Sequence, residues 1–147
     1  MFPMIFLPDE FNYLKGWVTD LASRFAFKVP PLGIMLETES ALNNIKDFKG
    51  IKFISIGTND LVKSLYTIDR ETAVDMLDDY KDDLIKRLIP VVEFCQRKNI
   101  ILSVCGELAS IPEIAEEFYE IGIKNLSVSP SLVNMLNQAY TNYKDKK

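Results

Sequence analysis

The residues best suited to chemistry are two carboxylates that follow short apolar runs of the sequence. Glu37 ends the run at 32–36, and Asp60 closely follows the run at 51–56. If these runs are neighbouring strands, both side chains can converge on one divalent cation. Magnesium takes one or two protein carboxylates and completes its shell with water and substrate oxygens. Helix caps and surface charges are also found at such positions, so the spacing alone leaves both interpretations open.

The segment Gly-Thr-Asn-Asp at 57–60 suits the binding of an anion. Gly57 permits a tight turn with close backbone approach, and Asn59 can donate its amide to a phosphate oxygen. An Asx-type turn that caps the next helix has the same pattern. Arg70 follows ten residues after Asp60, and a guanidinium suits bidentate binding of phosphate or carboxylate, although most lone arginines are surface charges.

Cys105 ends the apolar run at 100–104 and precedes Gly106 and Glu107. A thiol at the rim of a sheet can donate a proton or act as a nucleophile, because its pKa lies near the working range. A cysteine in this position is also typical of a small buried residue. Cys95, on a predicted helix between apolar neighbours, fits that second role.

Composition excludes several classes of site. The chain has no histidine, which excludes a histidine base, a histidine metal ligand and a phosphohistidine carrier within it. A metal must therefore be held by oxygen, which favours magnesium or manganese. Two cysteines predict no disulfide framework, so we expect a reduced, cytoplasmic setting. The net charge of −4 does not favour nucleic-acid binding, and no apolar run approaches the roughly 18 residues that span a membrane.

Short β-branched runs alternate with longer amphipathic ones along the chain. Strands are predicted at 1–6, 32–36, 51–56, 100–104 and 125–128. Helices are predicted at 8–27, 38–46, 72–79, 82–98, 111–121 and from 129 or 131 to about 143, with 61–70 helical or irregular. This alternation predicts an α/β fold with parallel strands, buried on both faces and joined by crossover helices. The candidate residues then follow the carboxyl ends of strands, where such folds build their sites. An open doubly wound sheet is the alternative to part of a barrel.

Six segments together resemble the phosphoenolpyruvate (PEP)-binding barrel of the PEP-utilising enzymes. In chain order they are MFPMI at 1–5, GIMLET at 33–38, SIGTNDL at 55–61, DR at 69–70, CGELA at 105–109 and LSVS at 126–129. Their order and spacing cover nearly the whole chain, and the third and fifth segments are the most specific. The first and fifth segments are most similar to the enzyme I branch, the PEP–protein phosphotransferases of the sugar phosphotransferase system.

The resemblance implies a role for each candidate residue. Glu37 and Asp60 would ligate Mg²⁺. The substrate would be bound by Asn59, Asp60 and Arg70. Cys105 would be the catalytic residue, and its thiol would donate a proton to the enolate carbon to give pyruvate. In this family the phosphoryl group of PEP passes to a histidine on another domain, and in enzyme I it then passes to a small phosphocarrier protein.

The resemblance also implies a TIM-type (βα)8 barrel, of which residues 1–147 supply the last five βα units. The first three strands and the phosphohistidine domain would be absent, so the chain alone is expected to be inactive and to form a homo-oligomer. The sequence departs from the family pattern beside the site, at Glu39, at Val62-Lys63-Ser64 and at Ser110-Ile111.

Two rival functions follow from the same residues. Segments 33–45 and 54–65 resemble the citrate lyase and hydroxy-acid aldolase pattern, which also binds Mg²⁺ through Glu and Asp, although CGELA at 105–109 argues against it. A catalytically silent half-barrel that serves in oligomerisation or regulation is the third hypothesis.

Overall fold

Four parallel strands in consecutive order carry the structure. The computed structural model describes residues 1–145, and at positions 70, 139, 142, 143 and 145 it describes the backbone alone. The strands are β1 (Gly33–Leu36), β2 (Phe53–Gly57), β3 (Ile101–Cys105) and β4 (Leu126–Ser127). The sheet order is β1-β2-β3-β4, and every neighbouring pair is parallel. The order contains no reversal, whereas a doubly wound sheet reverses at a switch point.

The strand predicted at 1–6 is wrong, because only one bridge forms there. Phe2 bridges Ile34 in parallel: its N–H donates to the carbonyl of Gly33 at 2.9 Å, and its carbonyl accepts from Met35 at 2.9 Å. Pro3 has no N–H to extend the ladder. Met4 then adopts a positive φ of 50°, which turns the chain away from the sheet. The first of the five expected βα units therefore contributes a bridge and a helix.

Seven α-helices and three short 3-10 segments connect the strands in the described residues. The helices are α1 (Pro8–Arg24), α2 (Glu39–Asn43), α3 (Thr58–Tyr66), α4 (Arg70–Ala73), α5 (Leu77–Lys98), α6 (Pro112–Ile121) and α7 (Val133–Asp145). The 3-10 segments are Ile45–Asp47, Glu107–Ser110 and Pro130–Leu132. Gly122 ends α6 in the left-handed conformation, as the sequence predicts. None of the described helices combines the length and the apolarity needed to cross a bilayer.

The helical region after α3 differs from its prediction. The helix predicted at 82–98 and the end of the one predicted at 72–79 form a single helix, α5, while Thr72 and Ala73 belong to α4. Tyr80 is buried near the beginning of α5, and its hydroxyl donates to the carbonyl of Ala73 in α4 at 2.7 Å. That contact joins the two helices and fixes the turn between them.

One face of the sheet packs against helices, and the other is only partly covered by the described residues. Ile34, Ile54, Ile56 and Val104 are completely buried on the first face. The alternate positions of β3 belong to the second face, where Ile101 is 66% exposed and Ser103 and Cys105 are half-buried. The expectation of strands buried on both faces is therefore wrong for β3.

Gly106 connects the end of β3 to the next 3-10 segment in a conformation that only glycine adopts readily. Its φ is 99° and its ψ is −178°. A Cβ atom here would collide with the Thr58 hydroxyl and lie 2.9 Å from Asn59 Oδ1. This junction therefore brings β3 and the beginning of α3 into close contact.

Gly106→Ala should lower the free energy of unfolding by about 1–3 kcal/mol or more, from backbone strain and the collision with α3. Urea denaturation measures this change. Gly16→Ala is the matched control, because nothing lies near a Cβ at this position in α1 and alanine favours a helix by up to about 1 kcal/mol. Equal effects of the two substitutions would contradict the proposed packing at Gly106.

Candidate active site

The register of the sheet aligns the candidate residues at its carboxyl edge. Leu36 pairs with Ile56, and Gly57 pairs with Cys105. Glu37 directly follows β1, and Asn59 and Asp60 lie in the first turn of α3, directly after β2. The expected turn at 57–60 is thus the beginning of a helix with Gly57 at its N-cap. The three neighbouring strands therefore deliver their polar residues to one edge, as the sequence predicts.

Glu37 has a buried carboxyl group, with the residue only 3% exposed. Its Oε1 accepts a hydrogen bond of 2.6 Å from the backbone N–H of Met4. A Cβ on Gly57 would lie 3.1 Å from Oε2, so the glycine leaves room for the carboxyl group. In the part of the chain that the structure describes, no lysine or arginine forms a salt bridge with Glu37.

Thr38 ties the end of β1 to the N-terminal segment. Its hydroxyl donates to the carbonyl of Ile5 at 2.8 Å. The same hydroxyl accepts from the N–H of Ala41, so Thr38 is the N-cap of α2. Together with the bond from Met4 to Glu37, the bond to Ile5 holds residues 4–5 over the end of the strand. The N-terminal segment therefore shapes the Glu37 site although it is not a strand.

Two hydrogen bonds join the beginning of α3 to the segment after β3. The Thr58 hydroxyl donates to the Cys105 carbonyl at 2.9 Å, and the Glu107 N–H donates to Asn59 Oδ1 at 2.9 Å. Because an N–H needs an acceptor, the Asn59 oxygen faces Glu107, and its NH₂ group remains available as a donor. Asn59 is therefore held in one orientation with two donors for a ligand.

Asp60 and Asn59 line a cleft of about 450 Å³ together with Lys63, Asp69 and Glu71. The Lys63 ammonium lies 2.8 Å from the Asp69 carboxylate. The hydrogen bond and charge of Asp69 raise the pKa of Lys63, and the Asp60 charge adds to that shift. Sequence reasoning noted Lys63 only as a departure from the family pattern, whereas the structure places it beside two predicted site residues.

Cys105 is a half-buried free thiol with two polar neighbours on β2. Its Sγ lies 3.4 Å from the carbonyl of Ile56 and 3.5 Å from the hydroxyl of Ser55. Sequence reasoning missed Ser55, although a lone serine between Ile54 and Ile56 in an apolar strand is a signal for it. Cys95 is also a free thiol, and burial raises its pKa to about 11.

Arg70 is the predicted site residue whose position is described only in part. It begins α4, and its side chain lies outside the described residues.

No group of three or more His, Cys, Asp or Glu side chains in the described residues is arranged to hold a metal ion. A site built from Glu37 and Asp60 would have two protein carboxylates, which suffices for Mg²⁺ when substrate and water complete the shell.

Three relatives match most of the chain. A probable PEP synthase of Methanocaldococcus jannaschii is 32% identical over 99% of the chain, and a PEP synthase of Pyrococcus furiosus is 29% identical over 94%. A PEP–protein phosphotransferase of Haloferax volcanii is 31% identical over 80%. The chain spans 12%, 17% and 21% of these proteins. Since identities are similar for both activities, the enzyme I branch stays a prediction.

Solved structures show the same kind of fold. A citrate lyase from Burkholderia xenovorans aligns with 94% of the chain and 47% of its own, at a TM-score of 0.74 and 16% identity. Such low identity is evidence for the fold alone. The family described as "PEP-utilising enzyme, PEP-binding domain" matches residues 1–144. The chain therefore belongs to the PEP-utilising enzymes and corresponds to their PEP-binding domain.

Proposed function

We propose that this chain is the PEP-binding portion of an enzyme I-like PEP–protein phosphotransferase. The reaction is Mg²⁺-dependent transfer of the phosphoryl group from PEP to a histidine on another domain, with release of pyruvate. One observation carries the proposal: the buried Glu37 carboxyl group lies at the same sheet edge as Asn59 and Cys105.

Glu37 and Asp60 are the residues that would hold the metal. The donor set is oxygen only, and the buried Glu37 carboxyl has one protein hydrogen bond and no salt bridge among the described residues. Both features fit Mg²⁺, whose bonds to oxygen of about 2.1 Å require the two carboxylates to lie within about 6 Å of each other. When bound, the metal would neutralise charge on the substrate oxygens.

Asn59 and Arg70 would bind the phosphoryl group. The bond from Glu107 fixes the Asn59 amide, so its NH₂ donors are oriented before the substrate arrives. Arg70 begins α4, close along the chain to Asp69 and Glu71 of the cleft that contains Asn59. A guanidinium there would give bidentate recognition of phosphate.

Cys105 would transfer its proton to the C3 carbon of the enolate, which becomes the methyl group of pyruvate. The electron pair of the S–H bond stays on sulfur and leaves a thiolate. The Ser55 hydroxyl, 3.5 Å from that sulfur, can donate a hydrogen bond that stabilises the charge. Ser55 is therefore a positioning residue for the proposed proton donor.

The remaining parts of the reaction would come from outside this chain. A consecutive, fully parallel sheet fits an arc of a TIM-type barrel, and Phe2 adds a fifth parallel segment by its bridge. The chain has no histidine, so the phosphoryl acceptor would lie on another domain, and a phosphocarrier protein would be the next partner. The partly exposed second sheet face, with Ile101 66% exposed, favours self-association of the isolated chain and the alternative role as an oligomerisation module.

Glu37→Gln should weaken PEP binding in the presence of Mg²⁺ at least about tenfold, because it removes a charged ligand worth more than about 1.4 kcal/mol. Isothermal titration calorimetry with and without Mg²⁺ measures this change. Glu120→Gln is the control, since Glu120 is exposed on α6. If the Glu37 variant bound PEP as tightly as the original protein, with or without Mg²⁺, the proposed metal site would be contradicted.

The isolated chain should bind Mg²⁺ and PEP weakly and release no pyruvate. It lacks a histidine acceptor and supplies few cationic groups to balance the charge of the transition state. A coupled assay with purified chain, Mg²⁺ and PEP tests this, with and without a separately supplied histidine domain. Steady pyruvate formation by the chain alone would show that the acceptor is dispensable.

The two thiols should differ in reactivity. Only the thiolate is nucleophilic, and burial raises the pKa of Cys95 to about 11, so its alkylation in the folded protein should stay slow until the pH approaches that value. Half-buried Cys105 should react first with iodoacetamide because it is more accessible, and Ser55→Ala should slow its reaction by removing a hydrogen-bond donor to the sulfur. Peptide mass spectrometry gives both rates. Faster labelling of Cys95 would contradict the burial of its thiol. An unchanged rate at Cys105 in the Ser55→Ala variant would contradict the hydrogen bond from Ser55.

A further inference from the structure

A basic cleft lies at the end of the sheet opposite the candidate active site. Its volume is about 340 Å³, and Lys46, Lys49, Lys52 and Lys98 contribute to its lining. Lys52 directly precedes β2, whereas Asn59 and Asp60 directly follow that strand. The two sites are therefore separated by the length of the strand. The overall charge of −4 gave no indication of this local excess of positive charge.

A fifth lysine approaches the same loop from α1. Gly50 has a φ of 79°, and the Lys15 ammonium lies 2.6 Å from where its Cβ would stand. The ammonium thus packs directly against the backbone of the loop that lines the cleft. Side chains from α1, from the loop before β2 and from the end of α5 consequently meet in one place.

These lysines have no partner of opposite charge in the part of the chain that the structure describes. The salt bridges there involve Lys63, Lys81 and Arg87 instead. The nearest acids along the chain, Asp47 and Glu93, form no such pair. The carboxyl end of α5 offsets part of the Lys98 charge. Neighbouring ammonium groups otherwise repel one another, so an anion would be attracted to the cleft.

The loop also carries backbone donors without acceptors. Within residues 1–145, the N–H groups of Lys49, Gly50 and Ile51 donate to no protein acceptor. Ile51 is nevertheless only 4% exposed. A backbone N–H in such a place needs water or a ligand as its partner. Ammonium groups and free N–H donors on one loop are the combination that binds phosphate oxygens.

We propose that this cleft binds the phosphate groups of a small ligand. Several lysines match an oxyanion with two or more negative charges better than a monocarboxylate. The volume suits a small molecule. Phe48 and Ile100 contribute apolar lining for the body of such a ligand. The proposal does not depend on PEP chemistry at the carboxyl edge, because it uses none of those residues.

An NMR titration with pyrophosphate, at constant ionic strength and without divalent cations, tests the proposal. The amide signals of Lys49, Gly50 and Ile51 should shift and saturate. Lys49→Gln/Lys52→Gln should weaken this binding at least about tenfold, as expected for the loss of two charged partners. Lys28→Gln/Lys86→Gln is charge-matched, with both lysines exposed elsewhere, and should change the affinity less than about twofold.

Three outcomes would overturn the proposal. One is the absence of saturable shifts up to about 10 mM pyrophosphate, a concentration beyond weak specific binding. Another is an equal loss in both double variants, which would mean non-specific attraction. The third is a set of shifts confined to Asn59 and Glu107 at the other end of the sheet. Lys98→Gln is an independent arm that leaves the loop sequence intact, and it should also weaken binding.

Discussion

The burial of the Glu37 carboxyl group is the constraint on which the arrangement of the carboxyl edge depends. Moving a carboxylate out of water is costly unless a cation or hydrogen bonds compensate. Met4 supplies one hydrogen bond, and Gly57 leaves the space beside the second oxygen. The left-handed turn at Met4 and the bond from Thr38 to Ile5 are needed to bring that one donor into place. A divalent cation beside Glu37 would supply the compensation that one N–H cannot.

The second element of the site is the contact between α3 and the segment after β3. Thr58 and Asn59 each form one hydrogen bond to that segment, and Gly106 allows the backbones to approach. Groups fixed in this way do not have to be ordered when a substrate binds, which lowers the entropic cost of binding. Phosphate recognition by Asn59 and proton transfer by Cys105 would therefore depend on one rigid junction.

Sequence reasoning succeeded where a local pattern determines the result. The predicted strands at 32–36, 51–56 and 100–104 lie within one or two residues of β1, β2 and β3, because apolar β-branched runs bounded by polar residues are strong strand signals. Residues 1–6 are also apolar, but Pro3 removes a donor and Met4 turns the backbone where the chain meets β1.

The parts of the sites that were missed depend on contacts between residues distant in sequence. Spacing placed Glu37 at the end of a strand, but it could not show that the backbone of Met4 would donate a hydrogen bond to its carboxyl group. The role proposed for Ser55 requires the register that brings β3 beside β2. The lysine cleft combines α1, α5 and the loop before β2, which no local pattern connects. The net charge sums over the whole chain, so acids elsewhere offset a local cluster of lysines and conceal it.

Anomalous diffraction from crystals of this chain grown with Mn²⁺ and PEP tests the central claim most directly, because manganese can replace magnesium at oxygen ligands. The account predicts one strong manganese peak at the carboxyl edge of the sheet, bonded to a carboxylate oxygen of Glu37 and one of Asp60 at about 2.1–2.2 Å. A Glu37 carboxyl group that remains without metal, or a manganese ion bound elsewhere while PEP occupies the Asn59 cleft, would contradict it.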